Sequence, residues 1–197
     1  MASRFIVDSL CYLAKEYKLD GFRFDLMGLL DIHTLNTAAE KLRRINPSII
    51  LYGEGWTGGK SPLPERLRAM KKNAVKLPQY AMFSDDFRDG VKGSVFEDEE
   101  CGYVNGNASE LSEMMKSVIS GGIYRMDVQR KRSECWTDTP QQTVNYVEAH
   151  DNLTLFDKLR ISMPEASGQE RVSVDKLAAA LVFLSEGIPF MQAGQEI

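Results

Sequence analysis

The sequence predicts an α/β fold with a parallel sheet, of the (β/α)8-barrel kind rather than the doubly wound kind. Helical and strand patterns alternate about five times along the chain, the signature of parallel strands covered by helices. No G-x-G-x-x-G follows a strand, as a doubly wound nucleotide-binding sheet would carry. Carboxylates instead end several of the strands, which is where a barrel gathers its reactive residues.

Each element has its own pattern. Residues 3–17 place Ile6, Leu10, Leu13, Ala14 and Tyr17 on one helical face. GFRFDL at 21–26 reads as a strand. Its alternation sets Arg23 and Asp25 on one face and Phe22, Phe24 and Leu26 on the other. Residues 34–45 form a helix with Leu35, Ala38, Leu42 and Ile45 as its stripe, closed by Pro47. IILYGE at 49–54 is a second strand, PERLRAMKK at 64–72 a weak helix, and QYAMFS at 79–84 a third strand.

A helix over 109–120 carries Leu111, Met114, Met115 and Val118 and stops at Gly121-Gly122. TVNYVEA at 143–149 is a fourth strand, residues 171–186 a helix, and GIPFMQA at 187–193 a fifth strand, with Pro189 near its start. The stretches 85–108 and 121–142 read as long connections, of the length that tends to carry function. No internal repeat or low-complexity linker interrupts the chain, and 1–197 reads as part of a single catalytic barrel domain.

The 197 residues are 43% hydrophobic and 26% charged with net charge −4, ordinary for a globular domain. Basic residues are scattered apart from QRKR at 129–132, which reads as a solvated loop, so nucleic acid is a poor partner. The longest apolar run, LAAALVFL at 177–184, is too short to span a bilayer. Cys11, Cys101 and Cys135 have no metal-like spacing and imply no disulfide framework; Cys11, in a helical pattern, reads as a small buried hydrophobe. MASRFIVDSL is not a signal peptide, which leaves cytoplasmic and secreted locations both open.

The chemistry lies in three acids. Asp25 ends the first strand, Glu54 the second, and Asp151 follows the fourth. Carboxylates gathered at a barrel mouth are what cleavage of a glycosidic bond requires: one attacks the sugar carbon, another protonates the leaving oxygen. Arg23 beside Asp25 would keep that carboxylate ionised, while crowding would favour a protonated Glu54. His150 can donate to a sugar hydroxyl, and Trp56 offers a flat face to a pyranose ring. Singly, each has a plainer reading. A strand-end acid is often a helix cap, Arg23–Asp25 alone reads as a structural ion pair, and His33 and His150 can simply support loops. Coincidence at three strand ends favours catalysis.

GFRFDLMG, YGEGW at 52–56 and VEAHDN at 147–152 resemble, in order, the nucleophile, acid/base and third-carboxylate segments of the α-amylase family, glycoside hydrolase family 13. The YGEGW form, with FRDGVKGSVF at 87–96 and HDNLTLFDKL at 150–159, is closer to the type I pullulanases of that family. GIPFMQAGQE at 187–196 is similar to its eighth strand. The resemblance implies a partial barrel of about strands four to eight. It implies Asp25 as nucleophile, Glu54 as general acid and base, and Asp151 gripping the sugar at the cleavage point. Arg23, His150, Trp56 and Asn152 would bind substrate. The implied reaction is retaining hydrolysis of α-1,6 linkages in pullulan, dextrins or amylopectin without a cofactor. Calcium occurs in the family, but no ligand set stands out here.

The family's third-strand motif, D-x-x-x-N-H, has no counterpart among the two histidines His33 and His150. The resemblance therefore implies weak or absent hydrolysis by this piece alone, with partners in an α-glucan and in either the remaining barrel half or a second copy, since open strand edges invite pairing. Two alternatives stand beside it: a non-catalytic carbohydrate-binding or regulatory piece, and an α-1,4-acting enzyme of the same family.

Overall fold

A computed structural model describes residues 1–128 and 135–196. The basic run at 129–132 lies outside the described residues. The chain forms two compact units, Met1–Phe83 and a second beginning at Ser84.

In the first unit, helix α1 (Ala2–Glu16) leads to strand β1 (Gly21–Phe24), helix α2 (Ile32–Ile45), strand β2 (Ile50–Gly53) and strand β3 (Ala81–Phe83). The strands are parallel, with Arg23 opposite Tyr52 and Tyr52 opposite Ala81. Helix α2 is the crossover that parallel neighbours require. Asp31 caps it by accepting from the Thr34 N–H at 2.8 Å, and its chain turns extended at Asn46, ahead of Pro47. Leu35, Ala38, Ala39 and Leu42 are wholly buried, and α1 packs against α2. Removing a side chain such as Leu42 costs about 2–5 kcal/mol in such a setting. Tyr80 lies in the same core, its hydroxyl donating to the Leu35 carbonyl at 2.8 Å; burial pushes its phenol well above the usual range.

Three expectations need correcting here. On α1, Val7 and Ala14 are the buried positions, while Tyr17 is exposed and lies edge-on to Tyr12. Cys11 is half exposed rather than buried. Residues 64–72 are not a helix: short 3-10 turns cover Glu65–Leu67 and Lys71–Lys76. The Asn73 amide donates to the carbonyls of Glu65 and Arg68, giving backbone acceptors a side-chain partner in place of the helical N–H donors.

The second unit contains helix α3 (Asp85–Lys92), helix α4 (Ala108–Ile119), strand β4 (Thr143–Asn145), helix α5 (Leu155–Ser162), helix α6 (Gly168–Leu184) and strand β5 (Ile188–Pro189). β4 and β5 are parallel, Val144 facing Ile188. One core joins Phe87 and Val91 of α3, Met115 and Val118 of α4, Val147, Leu155 and Leu159 of α5, and Ala178 and Val182 of α6. A reciprocal cap, Ser167 with Glu170, starts α6. Gly187 sits at φ +122°, and a Cβ there would meet the Asn145 amide and the Thr143 carbonyl at 2.9 Å.

Helix α3 lies where a connection was expected, and α5 in a stretch between the fourth strand and the helix at 171–186 to which no element was assigned. Each is eight residues long with only a pair of apolar residues four apart on its inner face, Phe87 with Val91 and Leu155 with Leu159, too little periodicity to stand out. The strands are shorter than their sequence patterns, because pairing stops where the loops begin. No helix among the described residues is long and apolar enough to cross a membrane.

Asp175, half-buried on α6, has its carboxyl pushed up from 3.8 to about 6, first by burial and then by the charge of Glu148. The folded state thus favours the protonated form. Its contribution to stability is complete below about pH 3.8 and is lost as pH rises through about 6. Asp175→Asn is expected to match the parent's melting temperature below about pH 3.8 and to exceed it by a margin that grows as pH rises to about 6 and then levels off, as scanning calorimetry across that range would show.

Candidate active site

The first unit builds a carboxylate pair around one guanidinium. Arg23 lies in β1, its guanidinium 5.6 Å from the centre of the Phe83 ring, and Tyr52 meets Phe83 edge-on at 5.7 Å. Strands β2 and β3 thus supply an aromatic pair beside the guanidinium that β1 carries. Its Nη1 donates to Asp25 Oδ1 at 2.8 Å, and its Nη2 donates to Glu54 Oε1 at 2.6 Å. The shared face expected for Arg23 and Asp25 is realised, and Glu54, 31 residues on, joins the same cation.

Asp25 and Glu54 sit in contrasting surroundings. The Asp25 side chain is 63% exposed, and Oδ2 makes no hydrogen bond among the described residues. Glu54 is 5% exposed, and both its oxygens are engaged: Oε1 by Arg23, Oε2 by the Leu26 N–H at 2.8 Å. That N–H points at Glu54 because Leu26 adopts a left-handed conformation, φ 42° and ψ 47°, uncommon for a branched side chain. Nothing in the sequence marks Leu26 for this role.

Gly28 then brings two loops together. Its N–H donates to the Trp56 carbonyl at 3.0 Å, and a Cβ would lie 2.5 Å from that oxygen. The glycine closing DLMG is therefore a point of backbone contact between the Asp25 and Glu54 loops. Trp56 itself is half-buried.

In the second unit, His150, Asp151 and Asn152 form the exposed part of the loop between β4 and α5. His150 Nε2 lies 3.5 Å from Asp151 Oδ1, and Asn152 is left-handed at φ 65°. Further back, Arg88 donates to the Tyr146 hydroxyl at 2.9 Å and sits over its ring; burial pushes that phenol up to about 12. Neither Arg88 nor Tyr146 was singled out from sequence. His33 is exposed in the first turn of α2. Among the described residues no group of three or more His, Cys, Asp and Glu side chains is placed to hold a metal ion.

Parallel strands joined by helices, with Asp25 and Glu54 just beyond two neighbouring strand ends, have the form of a (β/α)8-barrel segment. The particular likeness is to pullulanases. The chain is 38% identical over 196 residues to a pullulanase of Bacillus subtilis, covering 100% of this chain and 26% of that protein. It superposes on the crystal structure of pullulanase type I from Bacillus subtilis complexed with maltose with a TM-score of 0.93 over its full length, 26% of that chain. A pullulanase from Anoxybacillus complexed with maltotetraose is 43% identical, with a TM-score of 0.90 over 98% of this chain and 26% of the other. No protein-family model matches the chain. It is thus homologous along its whole length to type I pullulanases, spans about a quarter of the relatives described, and has the fold of a partial (β/α)8 barrel.

Removing the guanidinium strands a buried carboxylate, a change that costs about 3–5 kcal/mol when a buried pair is broken. Arg23→Ala is expected to lose about 3 kcal/mol in urea unfolding. Glu54→Gln, which still accepts from the Leu26 N–H, should lose clearly less.

Proposed function

We propose that the chain serves a pullulanase-type glycoside hydrolase, as the C-terminal part of its catalytic barrel, in retaining hydrolysis of α-1,6-glucosidic linkages in pullulan, dextrins and amylopectin. The observation that carries the reading is the single guanidinium shared by Asp25 and Glu54. Two carboxyl groups on one fork are held close together, which suits a retaining mechanism with its spacing of about 5–5.5 Å better than the wider inverting arrangement.

In this reading Arg23 holds Asp25 Oδ1 and leaves Oδ2, on the exposed side, to attack the anomeric carbon. Glu54 protonates the departing oxygen and then takes a proton from water. Each of its oxygens already accepts one hydrogen bond, so proton transfer to the departing oxygen calls for a rearrangement of those contacts. Substrate would supply that rearrangement, since catalytic hydrogen bonds are commonly remade on binding. His150, Asp151 and Asn152 would bind sugar hydroxyls, and Trp56 would offer its ring to a pyranose. Neither a redox nor a group-transfer cofactor enters the reaction.

The engaged Glu54 also favours a second reading, in which this chain binds maltooligosaccharide without turning it over. The purified chain incubated with pullulan separates the two. Maltotriose release that disappears in Asp25→Asn is the outcome expected of an assembled α-1,6 site. Panose would assign α-1,4 cleavage. No product, with maltotetraose binding retained by calorimetry, would establish the non-catalytic reading.

A further inference from the structure

The loop that carries His150, Asp151 and Asn152 is exposed, yet its two ends meet at one buried side chain. Glu148 lies just beyond β4 and is only 5% exposed. Its Oε2 accepts from the N–H of Leu155, the first residue of α5. Thr154 caps the same helix by accepting from the Asp157 N–H at 3.2 Å, so the Leu155 donor falls to Glu148. Val147 and Leu155, flanking the segment, are both wholly buried in the core of the second unit. Residues 149–154 are thereby closed into a short loop by a carboxylate at a helix N-terminus, a favourable place for negative charge.

A buried carboxylate also needs a counter-charge. Lys92 of α3, 2% exposed, is also buried in this unit, and Glu148 is among the groups that favour its charged form. Burial, and next the neighbouring Arg88, push that ammonium down to about 8 against this attraction. From α6, Asp175 faces Glu148 with like charge. Glu148 lies within VEAHDN, where the sequence alone assigns it no role. An acid inside an apolar strand run is the signal that could have drawn notice.

We propose that Glu148 is a positioning residue: through its hydrogen bond to the Leu155 N–H it fixes the loop that presents His150, Asp151 and Asn152. Its effect on sugar binding rests on the glucan-binding reading above; its effect on loop order does not.

Amide exchange of the purified chain at pH 7 tests this with three variants. Glu148→Ala removes the acceptor, Glu148→Asp keeps the charge but shortens the reach, and Glu148→Gln keeps the reach but loses the charge. Exchange at Leu155 is expected to quicken about tenfold to a hundredfold in the Ala and Asp variants, the weight of a buried hydrogen bond. The Gln variant should stay near the parent, and α4 and α6 should be unchanged in all. Should the Ala variant fail to fold, the Asp and Gln pair carries the comparison. Unchanged exchange at Leu155, loss spread evenly through the second unit, or a Gln variant no better than Asp would each overturn the proposal. Maltotetraose binding, measured on the same proteins, should weaken about tenfold in Ala and Asp and recover in Gln. Absence of binding by the parent would sink the glucan reading while leaving the exchange pattern to decide the positioning role.

Discussion

The first unit depends on what happens to one guanidinium. Arg23 is carried by β1 with its guanidinium over the Phe83 ring, and two carboxylates from successive strand ends each take one of its terminal nitrogens. The strand register sets this, since Arg23 stands opposite Tyr52 and the chain beyond each strand is only a residue or two from its acid. The planar fork matters: a lysine in its place would present one point charge to two partners and would not stack.

Around that fork the backbone does as much as the side chains. Leu26 accepts a costly conformation and turns its N–H toward Glu54, and Gly28, lacking a side chain, lets the adjoining loop touch the Trp56 carbonyl. The two acids thereby acquire opposite characters, one exposed with a free oxygen, the other buried with none. Such a separation of environments is what lets two like groups take different chemical roles.

The second unit meets a comparable problem with different means. Its exposed loop of His150, Asp151 and Asn152 must be held without burying the residues themselves, and the fixing is done from beneath, by a buried acid between a strand end and a helix start. Neighbouring charges feel that acid in opposite directions: Glu148 favours the charged form of Lys92 against its own burial, and adds to the burial that pushes the Asp175 carboxyl up. Likeness to pullulanases in sequence and in structure, over the full chain, agrees with the motifs on which the sequence resemblance rested.

The sequence by itself determined the alternation of helix and strand, the buried stripe of Leu35, Ala38 and Leu42, and the sharing of a face by Arg23 and Asp25. These follow from period and propensity, which act over a few residues. It also pointed to the family, through GFRFDLMG, YGEGW and VEAHDN in order. Helices α3 and α5 were hidden, because eight residues with one inward-facing apolar pair carry little periodic signal and gain their stability from the core they join. Glu54's attachment to Arg23, the left-handed turn at Leu26 and the reach of Glu148 to Leu155 were decided only in three dimensions. Each of these depends on where separate segments come to rest, and on burial, which local pattern does not encode.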